Sequence, residues 1–153
     1  MIDFSSKELA KLFDRVAVPG AIFFCENFIF EDGTTKNKYL ILLSIDSTTD
    51  IADYLLATSQ VTKVRSISIL TGECVFIPPG STRCFTLETA LVVKDLHTRS
   101  VSHLRNRFSH PSTYGRLEYV EMSPPDVLSR LFDAVRNSRF IAGEAKARIL
   151  RSG

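Results

Sequence analysis

Two apolar runs, AIFFCENFIF (residues 21–30) and KYLILLSI (38–45), flank the polar stretch EDGTTKN (31–37). Both are rich in aromatic and β-branched residues and too short for membrane spans, so they read as strands. Asp32-Gly33 between them marks a hairpin whose loop is longer than two residues. This pair most constrains the fold, because a hairpin of two long apolar strands requires cover for its apolar faces. Further runs repeat the theme. DYLLATSQV (53–61) reads as a third strand, VRSISIL (64–70) alternates apolar and polar residues, and Thr71-Gly72 turns the chain into CVFIPPG (74–80). Pro78-Pro79-Gly80 stops that strand, because proline cannot donate to a ladder. TALVVKDL (89–96) and RLEYVEM (116–122) complete the set. Short strands adjacent in sequence and turned by Gly and Pro favour an antiparallel sheet or small barrel.

Helices are expected at both ends. Ser5 or Ser6 can cap a short amphipathic helix that presents Phe4, Leu9, Leu12 and Phe13 on one side and ends before Val18-Pro19-Gly20. Ser123-Pro124-Pro125-Asp126 predicts a second start, with Ser123 as N-cap, proline at the first helical position and an acid in the first turn. Val127, Leu128, Leu131, Phe132 and Val135 follow at helical spacing and form a core face. The tail GEAKARILRSG either extends the helical region or frays. At 153 residues, 44% of them hydrophobic, the chain fits one domain. It divides into an N-terminal helix (1–17), a β region (18–122) with a basic insert (96–117), and a C-terminal helix and tail (123–153).

Net charge is only +2, too small to force a nucleic-acid partner, but its distribution is uneven. Residues 96–117 hold Arg99, Arg105, Arg107 and Arg116 with no acid, together with all three histidines, His97, His103 and His110. VSHLRNRF predicts about two helical turns with Val101, Leu104 and Phe108 buried. Arg105 and Arg107 then stand around the opposite face beside His103, either as a phosphate-contacting surface or as an ordinary solvated one. Guanidinium suits phosphate because its planar fork donates two hydrogen bonds at once.

Cys25, Cys74 and Cys84 are odd in number and form no C-x-x-C pair, so zinc and a disulfide framework have no support and a reducing, cytoplasmic setting is expected. The histidines, six and seven residues apart, share no helical turn and have no acid or cysteine among them, so no metal site and no cofactor is expected. No apolar stretch reaches membrane length and no signal-peptide pattern opens the chain. Phosphate-loop, dinucleotide, zinc-protease and nucleophile-elbow motifs are absent.

Pro19-Gly20 opening an apolar strand, a polar hairpin, and a basic residue before YLILLS resemble the PemK/MazF-type growth-inhibitor toxins. YLLATSQV is similar to that family's third strand, which ends on Thr or Ser. ALVVKDLHTRSV and YGRLEYVEMSPPDVLSRLFDAVRNS resemble its later strand and its closing strand and helix, so the likeness spans roughly residues 18–140. The resemblance implies a mostly β, α+β chain: a small SH3-like antiparallel barrel of the CcdB/PemK type, usually dimeric. It also implies metal-independent endoribonuclease activity on single-stranded RNA and an antitoxin protein as partner. Carried over residue by residue, the catalytic arginine falls at Lys38 and its following proline at Tyr39, while the strand-end hydroxyls fall at Thr58 and Ser59. Lysine neutralises phosphate but lacks the bidentate fork, and Ala21 stands where the family has an acid. Lys36, His97, Arg99, His103, Arg105 and Arg107 would flank the catalytic group as RNA-binding residues. CcdB-type relatives act on a protein target, so the alternative is a non-catalytic barrel that binds a protein.

Overall fold

The structure is a computed structural model that describes residues 5–67 and 71–152. Helix α1 (Ser6–Val16) leads into a hairpin of β1 (Ala21–Ile29) and β2 (Thr35–Asp46), followed by β3 (Ile51–Thr58) and the short α2 (Val61–Arg65). Next come β4 (Cys74–Ile77), β5 (Thr89–Val92), a 3-10 turn (Val93–Asp95), β6 (His97–Arg99), α3 (Val101–Ser109) and α4 (Pro111–Tyr114). The chain closes with β7 (Leu117–Met122), α5 (Pro125–Asn137) and α6 (Gly143–Ser152). The strands form one antiparallel sheet in the order β4-β5-β3-β2-β1-β7. The outer edge of β3 is shared, with β6 paired to residues 52–54 and β5 to residues 57–58.

The α+β character with an antiparallel sheet is as expected, but closure is not. Among the described residues no ladder joins β4 to β7, so the sheet is open and is covered by helices on both faces. On one face Ile22, Ile41, Leu43, Leu55 and Leu91 pack with Val127, Leu131 and Val135 of α5 and Ile149 of α6. On the other, Phe23, Cys25, Leu40, Leu42 and Tyr54 pack with Phe13 of α1 and with Val101, Leu104 and Phe108 of α3. Successive strand residues alternate between these two cores, and double burial is why the strands read as unbroken apolar runs.

Three local expectations need correction. Val64 and Arg65, which open the stretch read as alternating, instead end the helix Val61–Arg65, as Val61, the last residue of the run read as a third strand, starts it; Val61 and Val64 are buried, while 68–70 and Phe4 lie outside the described residues. Among the described residues the helices number six: α1, α5 and the two-turn α3 were expected, the tail forms α6 rather than fraying, and the short α2 and α4 were not foreseen. Ser123 does not cap α5: Pro124 holds that position, and the Ser123 hydroxyl instead donates to the Gly20 carbonyl at 2.8 Å. Ser5 caps α1 by accepting from the Glu8 amide at 3.2 Å. Among the described residues no helix is long and apolar enough to cross a membrane.

Candidate functional site

Lys38 owes its position to an irregularity in the hairpin. Cys25 pairs with Lys38 and Phe28 with Lys36, so Glu26 and Asn27 together oppose the single residue Asn37, the count of a β-bulge. Asn27 takes a left-handed backbone, φ 56°, and its amide donates to Asn37 Oδ1 at 3.1 Å. Asparagine tolerates that conformation better than most residues. One strand away, β3 ends at Thr58, whose hydroxyl accepts from the Gln60 amide at 3.1 Å and turns the chain. The loop after β4 closes the third side. Phe85 is buried, its ring meets that of Tyr39 edge-on at 5.5 Å, and its amide donates to Thr82 Oγ1 at 3.1 Å.

These pieces enclose a groove of about 270 Å³ lined by Lys38, Thr58 and Ser59 with Asn37, Gln60 and Cys84 among its walls. The three residues singled out as a phosphate site thus share one cavity. Lys38 is half-buried; burial first, then the neighbouring Lys36 ammonium, lowers its pKa from the ordinary lysine value. Burial pushes the Cys84 thiol up, so this sulfur is not a ready thiolate.

Lys38 and Thr58 also line a second compartment of about 690 Å³, with His97, Arg99, Glu31, Asp32 and Asp95 around it. His97 stacks on Tyr54, centroids 5.4 Å apart and 7° between planes, and meets Phe28 edge-on at 5.4 Å. Burial, then the Arg99 charge, holds its imidazole below the usual histidine range. It is therefore predominantly neutral at pH 7. A third cavity adjoins the second through Phe28, Ile29, Phe30, Glu31 and Arg99 and carries His103 and Arg107. The first and second spaces share Lys38, Ala57 and Thr58 and together make a trough, whereas the third adjoins only the second.

The remaining basic residues part company. Arg105 turns to α1 and grips Asp14, with Nη2 at 2.6 Å and Nε at 2.8 Å from Oδ1. Arg116 pairs with Glu26 and Glu118. Lys36 is exposed at the start of β2 and lines none of these spaces. Asn37, Gln60 and Thr86 were not foreseen, nor was the Arg83–Glu121 pair at 3.0 Å that ties the loop after β4 to β7. The Pro-Pro-Gly stop signalled a turn at that loop, but no local pattern indicates that its far end returns to Lys38. Among the described residues no group of three metal-ligating side chains converges. The chain matches no protein-family model and no curated protein.

Proposed function

We propose that the trough binds the sugar–phosphate backbone of single-stranded RNA and that Lys38, Thr58 and Ser59 form its cleavage centre, as in a PemK/MazF-like toxin. The observation that carries this is the convergence of those three residues, from two strands and a strand end, on one groove. In this reading the strand path is the SH3-like barrel of that family with its seam left open between β4 and β7. A second copy then meets the free edge of β7, and an antitoxin covers the trough.

The chemistry follows from what the groove holds. The ribose 2′-oxygen attacks the adjacent phosphorus, the bond to the 5′-oxygen breaks, and the products are a 2′,3′-cyclic phosphate and a 5′-hydroxyl. Neutral His97, in the adjoining compartment, accepts the 2′-hydroxyl proton. Lys38 faces the phosphate as an ammonium, and its lowered pKa eases proton donation to the leaving oxygen. Thr58 and Ser59 hydroxyls donate to the non-bridging oxygens as charge develops there. Arg99 extends the positive charge along the trough, whereas Arg105, committed to Asp14, contributes only weakly.

The test is cleavage of a fluorescent single-stranded RNA by the purified chain in EDTA, with Lys38→Ala, Thr58→Ala and His97→Ala beside it. Cleavage to cyclic-phosphate ends that falls at least about 10²-fold in Lys38→Ala is expected. Intact RNA with folded protein sinks the nuclease. A second reading, a non-catalytic barrel that binds a protein, draws support from Leu87 and Ile29. Both are large apolar residues, 65% and 62% exposed, Leu87 lining the first space and Ile29 the second. Growth arrest on expression with RNA left intact favours it.

A further inference from the structure

The cavity beneath α3 has a composition that RNA cleavage at Lys38 does not use. Its volume is about 360 Å³, within the range of small-molecule sites. Cys25, Phe28, Leu40, Leu104 and Leu117 give it an apolar floor, and all five are buried. Arg99, Arg107 and His103 stand over that floor, with exposed Glu31 at the rim.

Neither arginine belongs to an ion pair of the described residues, although six other arginines do. Arg107 is half-buried and held in place by main chain alone, its Nη2 donating to the Glu26 and Tyr114 carbonyls at 2.9 Å each. Its Nε is buried with no hydrogen-bond partner. Arg99 makes one weak local bond, to the Thr98 carbonyl at 3.3 Å. Partly buried guanidinium charges normally find a carboxylate. Here the half-buried Arg107 and the exposed Arg99 line one apolar cavity with a single carboxylate, Glu31, so with His103 neutral one positive charge is left over. A group that completes the site carries one negative charge on an apolar body.

We propose that this cavity is a binding site for a small amphipathic carboxylate. The carboxylate lies between Arg99 and Arg107, where planar guanidinium offers paired donors, and the hydrocarbon lies on the floor formed by Phe28, Leu40, Leu104 and Leu117. Seating the anion also removes the field under which His103 is held. Burial, then Arg107 and Arg99, lower its pKa, so a bound carboxylate raises it again. The titratable groups that share the cavity with His103 are Arg99, Arg107, Glu31, Cys25, Tyr114 and Tyr54, the last with its phenol pushed up to about 12 and so un-ionised.

The probe is octanoate, titrated into the full chain by calorimetry and followed at the His103 ring by NMR, with octanol as the uncharged control. Saturable one-to-one binding, at least about tenfold tighter than octanol, is expected, with a rise in the His103 midpoint. Arg99→Met, whose only hydrogen bond is local, weakens octanoate about tenfold and leaves octanol unchanged. Arg107→Met does the same if its fold survives, and Arg99→Met decides the matter if it does not. Lys38→Ala leaves octanoate binding unchanged, which separates this site from the cleavage centre. Equal binding of octanoate and octanol, or no effect of Arg99→Met, overturns the proposal. Competitive displacement of octanoate by the dinucleotide UpU overturns it too, because the cavity then belongs to the RNA trough.

Discussion

Replacing Arg148 by methionine tests what holds α6 against the sheet. Asp53, on the central strand β3, is fully buried. Its Oδ1 accepts from Thr98 Oγ1 at 2.7 Å and from Arg148 Nη2 at 2.9 Å, and its Oδ2 accepts from Ser44 Oγ at 2.6 Å and Arg148 Nε at 3.0 Å. Removing one partner from a buried ion pair costs about 3–5 kcal/mol, because the other charge is left uncompensated. Two features lower that figure here: the Arg148 side chain is 20% exposed, and the Ser44 and Thr98 hydroxyls still serve the carboxylate. A loss of about 2–3 kcal/mol follows. With a urea slope of roughly 2 kcal/mol/M for a chain of this size, the midpoint falls by about 1 M. A double-mutant cycle with Asp53→Asn isolates the pair, and a coupling of about 1–3 kcal/mol is expected.

The pH dependence fixes the sign. Burial alone would raise the Asp53 carboxyl, but hydrogen bonds from Arg148, Ser44 and Thr98, with the Arg148 charge, outweigh it and hold the pKa below the usual range. A depressed carboxyl pKa contributes stability in full above the unfolded value of about 3.9 and loses it as pH falls through the folded value. The wild-type Asp53 contribution is therefore full at pH 7 and pH 5.5 and is lost as pH falls below about 4, while in Arg148→Met, with less to oppose burial, the Asp53 carboxyl is raised relative to wild type. A midpoint shift under about 0.3 M at pH 7, or a coupling near zero, would falsify this account and leave α6 held by its apolar residues, Ala145 and Ile149 among them, and by Lys146, which donates to the Arg136 and Ser138 carbonyls.

Gly20 and Gly33 both have positive φ, 93° and 85°, but only Gly20 has close neighbours, with an added Cβ meeting Leu128 at 3.0 Å and Ser123 at 3.1 Å. Gly33→Ala costs about 1 kcal/mol of backbone strain and Gly20→Ala distinctly more; urea midpoints in the reverse order refute this. Leu131→Ala removes a fully buried side chain between α5 and the sheet, with an expected loss of about 2–5 kcal/mol by chemical denaturation. His97 and His103 titrate below about 6.5 in the free protein, read by ring proton shifts. Their folded values are lowered, so both stabilise the fold above the unfolded value and subtract from it as pH falls below about 6.5. Burial, the main cause, raises the Cys25 thiol, so Cys25 resists an aromatic disulfide reagent at pH 8 until the fold opens; rapid labelling of all three thiols in native buffer contradicts that.

The sequence determined what depends on neighbours along the chain. The hairpin at Asp32-Gly33, the amphipathic faces of α1 and α5, and the two-turn helix of the basic segment follow from periodicity and turn residues, and each forms. Lys38, Thr58 and Ser59 were legible only through a resemblance of order and spacing. Nothing local places Lys38 of β2 beside Thr58 of β3, because that proximity depends on strand pairing and on the loop anchored by Phe85. Tertiary structure alone decided the rest. A run of apolar residues does not distinguish one buried face from two, so the choice between a barrel and an open sheet with helices on both faces lay in where α5 and α6 pack. The arginines make the same point: Arg105 and Arg107, two residues apart on one helix, end on an aspartate of α1 and on two main-chain carbonyls. A charge takes its role from whichever group the fold brings within about 3 Å, and that group is set by non-local packing rather than by sequence spacing.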